Sequence, residues 1–320
     1  MSSIEVRPFR RADREQLTGL VNAHVAAVVP GMSVSVNTVM SQLEREPGEF
    51  IVDPWVSERA TLVAEQRQAV VAAAHLLRYG TDPAVSESYR DAGEIRWFLF
   101  WPGAPYWPDA PEAGDELLAA CVDQLERWGV SRQHADGALP APGVYGIPEQ
   151  WPHIRSSLER AGFVHEGQVE IIFLADVDAL PLPDREPITG LALRRSVGGN
   201  GTRLSAVLGD EVVGYIEVET RGASERLPRL GGWADIGNLH VKDEHRRRGV
   251  ASWLVAQAGE WLRLARVDRL LAYAWPEQAD EIGLLENVGF RELTRTQRGW
   301  TRAPSRRPAP SPSARPGWAA

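Results

Sequence analysis

The stretch "HVKDEHRRRGVASWLV", residues 240–255, sets three consecutive arginines, Arg246, Arg247 and Arg248, directly before a glycine and an amphipathic run. Its first part reads as the end of a strand near Val241, and apolar residues recur at helical spacing from about Gly249. A helix starting there leaves its first amide N–H groups without intrahelical partners, and the aligned peptide dipoles give that end roughly half a positive charge. Anions bind such an end through the main chain alone. Gly249 lacks the Cβ that would hold a phosphate away, Ala251 is the next smallest choice, and the arginines add charge-assisted contacts. Residues 246–251 therefore suit a diphosphate. The competing reading is a solvated arginine surface beside an ordinary helix start.

The neighbours decide between the two. Upstream, "TRLSAVLGDEVVGYIEVETR" predicts two strands about a Gly209–Asp210 turn, preceded by "GLALRRS" and followed by the strand "ADIGNLHV". Downstream come a strand "RLLAYAW" and a helix "ADEIGLLENVGF". A degenerate copy of this order runs through the first half. It has a strand at 4–10, a helix at 12–30 and two strands about a polar turn at Glu65–Gln68. A strand "EIRWFLFW", a long helix ending before Gly129, a short helix "WPHIRSSLERAGF" and a closing strand "EGQVEIIFLADV" follow. "QLERWGV…PEQW…SSLERAGF" parallels "EWLRLARV…WPEQ…GLLENVGF", so the chain is a two-copy repeat. "DALPLPDREP", with three prolines and three acidic residues, is the candidate linker. The expected division is a first domain over 1–178, a linker over 179–187, a second domain over 188–302, and a disordered Pro/Ser/Arg-rich tail over 303–320. The second copy runs almost directly from its first strand to its second, without a counterpart of the helix at 12–30.

With Arg246, Gly249 and Ala251 at the fixed positions of [Q/R]-x-x-G-x-[G/A], after a strand ending in valine, the second half resembles the GCN5-related N-acetyltransferase (GNAT) superfamily. The likeness is firm over about 205–292 and weaker over 4–175. It implies an α/β fold of two tandem GNAT-like units, each a mixed, mostly antiparallel sheet flanked by helices. It also implies acetyl-CoA as co-substrate, with its pyrophosphate on Arg246, Arg247, Arg248, Gly249, Val250, Ala251 and Ser252. The pantetheine arm would run beside Leu239, His240 and Val241, with Gln278 where the family often has an asparagine. The implied activity is transfer of an acetyl group to a primary amine by direct attack in a ternary complex. A non-catalytic acyl-CoA sensor and a transferase of longer acyl groups are the rival readings.

The match breaks at the proton-transfer groups. The tyrosine that many members place four residues before Gly-Phe falls at Leu285, which has no proton to give. A carboxylate often found on the family's fifth strand falls near Tyr273, which is either a replacement acid or core packing. Asp235, Glu217, Glu219 and His240 are the candidate bases. Each carboxylate has an alternative as an exposed strand charge, and His240 as a packed neutral ring.

Bulk properties narrow the partners. The formal net charge of −8 disfavours nucleic acid and gives weak steering toward a cationic acceptor. No apolar run approaches the roughly 20 residues of a membrane span. Cys121, alone and in step with an apolar helix stripe, excludes an intrachain disulfide and a cysteine-built metal site. The expectation is a cytoplasmic monomer or homodimer with a small-molecule amine acceptor, no membrane partner and no metal. In the first half "FWPGAPYWPDAPEAGDE" stands where the phosphate cradle belongs. Its four prolines remove amide donors, and Asp109, Glu112, Asp115 and Glu116 repel phosphate, so this copy is expected not to bind CoA. Its aromatics, Trp97, Trp101, Tyr106, Trp107, Tyr145 and Trp151, are expected either to wall the acceptor side of the second half or to fill a core.

Overall fold

The computed structural model describes residues 3–44, 55–102, 107–135, 137–141, 143–220 and 232–303. Tyr106 and the tail from residue 304 lie outside the described residues. The first half runs β1 (Glu5–Pro8), α1 (Arg14–Val28), α2 (Val36–Leu43), β2 (Val56–Gln66), β3 (Ala69–Tyr79), β4 (Ala92–Phe100), α3 (Ala110–Trp128), β5 (Arg132–Ala135), β6 (Ile147–Pro148), α4 (Pro152–Arg160) and β7 (Val164–Asp176). The second runs β8 (Leu191–Gly198), β9 (Gly201–Leu208), β10 (Glu211–Thr220), β11 (Gly232–Val241), α5 (Val250–Leu264), β12 (Val267–Ala274), α6 (Ala279–Asn287) and β13 (Arg291–Arg302).

Local chemistry explains most of these elements. The β2–β3 turn is two residues long, and both, Arg67 and Gln68, take positive φ, 52° and 65°. That backbone matches the right-handed twist of the strands it joins. α3 buries Leu117, Leu118, Cys121 and Leu125 on one stripe and stops at Gly129, whose φ of 68° closes the helix as a left-handed cap. α5 buries Val250, Trp253, Leu254, Ala258 and Leu262 at the same spacing.

All strands belong to one sheet, in the order β1-β2-β3-β4-β5-β13-β7-β12-β11-β10-β9-β8, with β6 paired to β13. The centre of this order departs from the expected arrangement. β7 does not close the first half upon itself. It pairs antiparallel with β12 of the second half, Ala272 opposite Phe173, and with β13. β13 in turn pairs with β5 and β6 of the first half. Each half thus places its last strand beside the other half's fifth, and the two copies share one continuous sheet. β13 is absent from the sequence reading for a physical reason. The side chains it buries include Thr294 and Thr296, alternating with charged and polar neighbours, so the strand carries almost no hydropathy signal.

Two cores result. One lies under α1, α3 and α4 in the first half, and the other under α5 and α6 in the second. A smaller cluster of Ile172, Leu174 and Leu271, flanked by Trp233, Tyr273 and Leu293, joins them on the opposite face of the central strands. The segment after β7 is tied down at its start. Residues 177–179 form a 3-10 turn, and Arg263 of α5 donates to the carbonyls of Val177 at 2.8 Å and Leu180 at 2.6 Å. β8 and β9 are joined by residues 199–200 alone. Among the described residues, no helix is inserted between the first two strands of the second half.

Candidate active site

β11 and β12 run parallel and paired only from Gly232 to Asp235 on β11, against Val267 to Leu271 on β12. Beyond Asp235 they separate. A bulge in β11 adds to the divergence, because Glu217 faces Asn238 while the next residue, Val218, faces Ile236, leaving Gly237 outside the ladder. The chain then leaves β11 and turns into α5 through the arginine run. Arg247 and Gly249 both take positive φ, 57° and 81°, and reversals of this kind point successive amides to one side. Gly249 provides no side-chain cap, and the first main-chain bond of the opening turn is that of Trp253 N–H to the Gly249 carbonyl at 3.0 Å. The amides of Val250, Ala251 and Ser252 are left as outward donors.

These amides face a cleft of about 810 Å³ between β11, α5 and α6. Leu239, His240, Val241, Arg246, Arg247, Gly249, Val250, Ala251, Ser252 and Gln278 all line it; Arg248 does not. Arg246 donates to the Val241 carbonyl at 3.1 Å and pairs with Asp243 at 3.1 Å. Arg247 reaches across to α6 and meets both carboxylate oxygens of Asp280 at 3.0 Å. Gln278, on the cleft wall, accepts from the Trp275 amide at 2.6 Å through its side-chain oxygen. Gly249 is required by the backbone as well as suited to a phosphate. A Cβ there would meet Pro187 at 3.1 Å, and the φ of 81° already excludes most side chains. The glycine is needed for the turn and for the close passage of residue 187.

A second cavity of about 500 Å³ opens where β11 and β12 part. Tyr145, Glu170, Asn238, Tyr273, Glu281, Leu285 and Arg298 are on its walls. Leu239, Gln278 and Glu281 border both spaces. The walls come from both halves: Tyr145 precedes β6, Glu170 is on β7 and Arg298 on β13.

The cross-strand register puts Glu217, Glu219, Asp235 and His240 on one face of the sheet, since Glu219 is opposite Asp235 and Tyr215 opposite His240. Their surroundings separate them. Glu217 is buried and locked in an ion pair with Arg203 at 2.6 Å, and it accepts from the Gly199 amide at 3.1 Å. Burial pushes its pKa up, but Arg203 and the turn amides outweigh that and hold it below the usual carboxylate range. It ties the β8–β9 turn to β10 and is a poor proton acceptor. Glu219 and His240 are exposed. Asp235 is buried and accepts from the Tyr273 hydroxyl at 3.3 Å. That hydroxyl also accepts from the Gly143 amide of the first half at 3.1 Å, and the Tyr145 ring stands edge-on to Tyr273 at 6.0 Å. The Tyr273 hydroxyl thus bridges a carboxylate of the second half and a main-chain amide of the first.

Glu281, Glu170 and Arg298 are wall residues that escaped the sequence reading. Glu281 is one helical turn before Leu285, and that spacing on an amphipathic helix was a usable signal. Glu170 reaches the site only because β7 crosses to the second half, which no local pattern announces. Of the first-half aromatics, Trp97 and Trp151 are fully buried in their own core, Trp101 and Trp107 pack against it, and Tyr145 alone among those described reaches the cavity. Cys121 is buried, and burial raises its thiol pKa, so it is no nucleophile. Among the described residues, no group of three or more His, Cys, Asp or Glu is arranged to hold a metal ion, and no helix is long and apolar enough to cross a membrane.

The comparisons with known proteins agree with this geometry. Residues 174–290 match the sequence model of the acetyltransferase (GNAT) family. No curated protein matches the chain. Among solved structures, a tandem GNAT protein from the clavulanic acid biosynthesis pathway, determined without acetyl-CoA, superposes with a TM-score of 0.66 at 16% identity, over 96% of this chain and 100% of that one. A GCN5-related N-acetyltransferase from Sphaerobacter thermophilus gives 0.58 at 14% identity, over 93% and 94%. The GCN5-related glucosamine N-acetyltransferase region of a fungal multi-domain GH3 β-N-acetylglucosaminidase gives 0.63 at 14% identity, over 94% of this chain and 38% of that one. This chain therefore spans well under half of the fungal protein's length. At such identities the likeness speaks for fold. The second half thus carries the match to the acetyltransferase (GNAT) family model, over residues 174–290, and the chain as a whole has a tandem GNAT-like fold.

Proposed function

We propose that the second half transfers an acetyl group from acetyl-CoA to a primary amine of a small molecule. The observation that carries this is the uncapped start of α5 opening into a cleft that leads, past Leu239, to a separate walled cavity. The amides of Val250, Ala251 and Ser252, with Arg246 and Arg247, would hold the diphosphate. The edge of β11 about Leu239, left unpaired where β12 diverges, would hold the pantetheine arm by main-chain bonds. Asp235 would take the proton of the attacking amine through Tyr273, the pair being held in place by the Gly143 amide. The amine attacks the thioester carbon directly, because among the described residues no cysteine, serine, histidine or lysine lines the acceptor cavity and Cys121 is buried elsewhere. The first half binds no CoA in this proposal. It supplies Gly143, Tyr145 and Glu170 as one wall of the acceptor cavity, in the place of the missing helix. The carboxylates and tyrosine faces there favour a cationic acceptor, and an amino sugar belongs first in a panel because one fold relative is a glucosamine N-acetyltransferase region. Acetyl-CoA is a cytoplasmic metabolite, and we place the reaction there.

A second reading, an acyl-CoA-binding sensor without turnover, draws on Leu285, a buried aliphatic where a proton donor is expected. Calorimetry with CoA followed by a CoA-release assay against amines separates the two. Binding with amine-dependent release supports the transferase. Binding without release for any amine supports the sensor.

A further inference from the structure

We infer that Glu281 is the group that protonates the departing CoA thiolate, taking the place that Leu285 leaves empty. The inference rests on the proposed acetyl transfer. An acetyl group carried from the diphosphate cleft to the acceptor must cross the junction of the two cavities, and among the described residues only Leu239, Gln278 and Glu281 border both. Leu239 has no side-chain proton, and an amide such as Gln278 is far too weak an acid. Glu281 is one turn from Leu285 on the same helix face.

Its surroundings suit the role. The carboxyl is half-buried and makes no hydrogen bond or ion pair among the described residues. Burial raises its pKa, which keeps a larger fraction protonated near neutrality. Across the acceptor cavity it faces Glu170 on β7 and Arg298 on β13, which pair at 3.4 Å, and the phenols of Tyr145 and Tyr273. Along the cleft it faces His240 of β11, His245, Arg246 and Arg247 before α5, and Glu277 and Asp280 of its own segment. The first turn of α6 favours an anion, so the carboxylate left after proton delivery is stabilised.

The step balances. The amine nitrogen bonds to the carbonyl carbon, the C–S bond breaks, and sulfur takes that electron pair and the proton of Glu281. The nitrogen loses its proton through Tyr273 to Asp235, and solvent returns one proton to Glu281 and removes one from Asp235. The products are the N-acetyl amine and CoA thiol.

The test is Glu281→Gln, which keeps size and polarity but has no acid. The expected result is a fall in kcat of about a hundredfold, the usual worth of a general acid. CoA affinity by calorimetry should stay within about twofold, thermal stability should be unchanged, and Glu281→Asp should recover part of kcat. In the wild-type protein kcat falls as pH rises past the Glu281 pKa, and this alkaline limb should vanish in Glu281→Gln. Wild-type kcat in Glu281→Gln overturns the inference. So does a loss that appears equally in CoA affinity, which would make Glu281 a binding group. A wild-type chain that binds CoA but turns over no amine overturns the transferase reading itself, and this inference with it.

Discussion

In both halves two parallel strands pair over four positions and then diverge, β4 from β5 and β11 from β12. Only one of the two gaps is open. In the first half the chain leaves β5 and turns back into the gap, and the amide of Ala138 donates to the Arg96 carbonyl of β4 at 2.7 Å. The main-chain edge that would receive a pantetheine arm is already taken by the protein. The helix start beyond it is acidic and short of a donor. Asp109 stands at the N-cap position of α3 without a side-chain bond to the helix amides, its carboxylate bonded instead by Gln66 at 2.9 Å, and Pro111 removes a donor. Gly114 lies against the Phe100 ring so closely that a Cβ would come within 2.7 Å of it. In the second half the corresponding edge and the corresponding amides are bare. The splayed strands are therefore a property of the shared fold, whereas a CoA site depends on what the chain does after the shorter strand. Just beyond the segment that fills the first gap, residues 137–141, the Gly143 amide donates to Tyr273. One loop closes the site of its own half and completes the site of the other.

The largest expected effect is at the proton relay. Asp235→Asn should lower kcat with the best amine by roughly a hundredfold to ten-thousandfold, as loss of a general base does, with CoA binding retained. Steady-state kinetics checks this. The equivalent first-half acid, Glu94, buried and bonded by Tyr79, should change stability and not kcat when replaced by Gln. Next is Ala251→Glu, which puts a carboxylate among the bare amides. It should weaken CoA binding about a hundredfold, the loss of two charge-assisted hydrogen bonds at roughly 1.5 kcal/mol each. Gly249→Val is a poorer probe, since contact with Pro187 and the backbone strain confound any loss of affinity.

The halves should also part company in acid. His24 and His153, adjacent in the first core, are held neutral by burial, each with its pKa lowered to about 4 from 6.5. A histidine with a depressed folded pKa binds fewer protons folded than unfolded between those values. Its stabilising contribution is complete above pH 6.5 and is lost as pH falls toward 4. Hydrogen exchange should show first-half protection falling over this window, while Glu217, held low by Arg203, begins to cost the second half stability only below about its unperturbed 4.5. The smallest effect is expected for Tyr145→Ala, a severalfold rise in acceptor KM with kcat nearly unchanged.

The second half's site was largely readable because its signal is local. An arginine run, a glycine and a helix stripe lie within residues 246–262, and the strand before them ends where the alternation ends. The exchange of β7 and β13 was not readable, because β13 buries threonines and alternation with arginine looks like surface. The acceptor wall inherits that opacity: Glu170 and Arg298 arrive on the exchanged strands. Tyr145 was named from the sequence as an aromatic candidate, but nothing local distinguished it from Trp97 and Trp151, which fill the core. The gap-filling bond from Ala138 to Arg96 was equally hidden, since it depends on the path of an irregular segment. The prolines and acids at 102–116 remain the sequence's own reason to expect no phosphate at the first helix start.

The most direct measurement is a crystal structure with CoA bound. The expected result is one nucleotide per chain, its diphosphate on the amides of Val250, Ala251 and Ser252 and its sulfur beside Leu239 and Glu281, with the gap between β4 and β5 still filled by residues 137–141. A diphosphate at the start of α3, or a nucleotide bound away from the α5 amides, would contradict it.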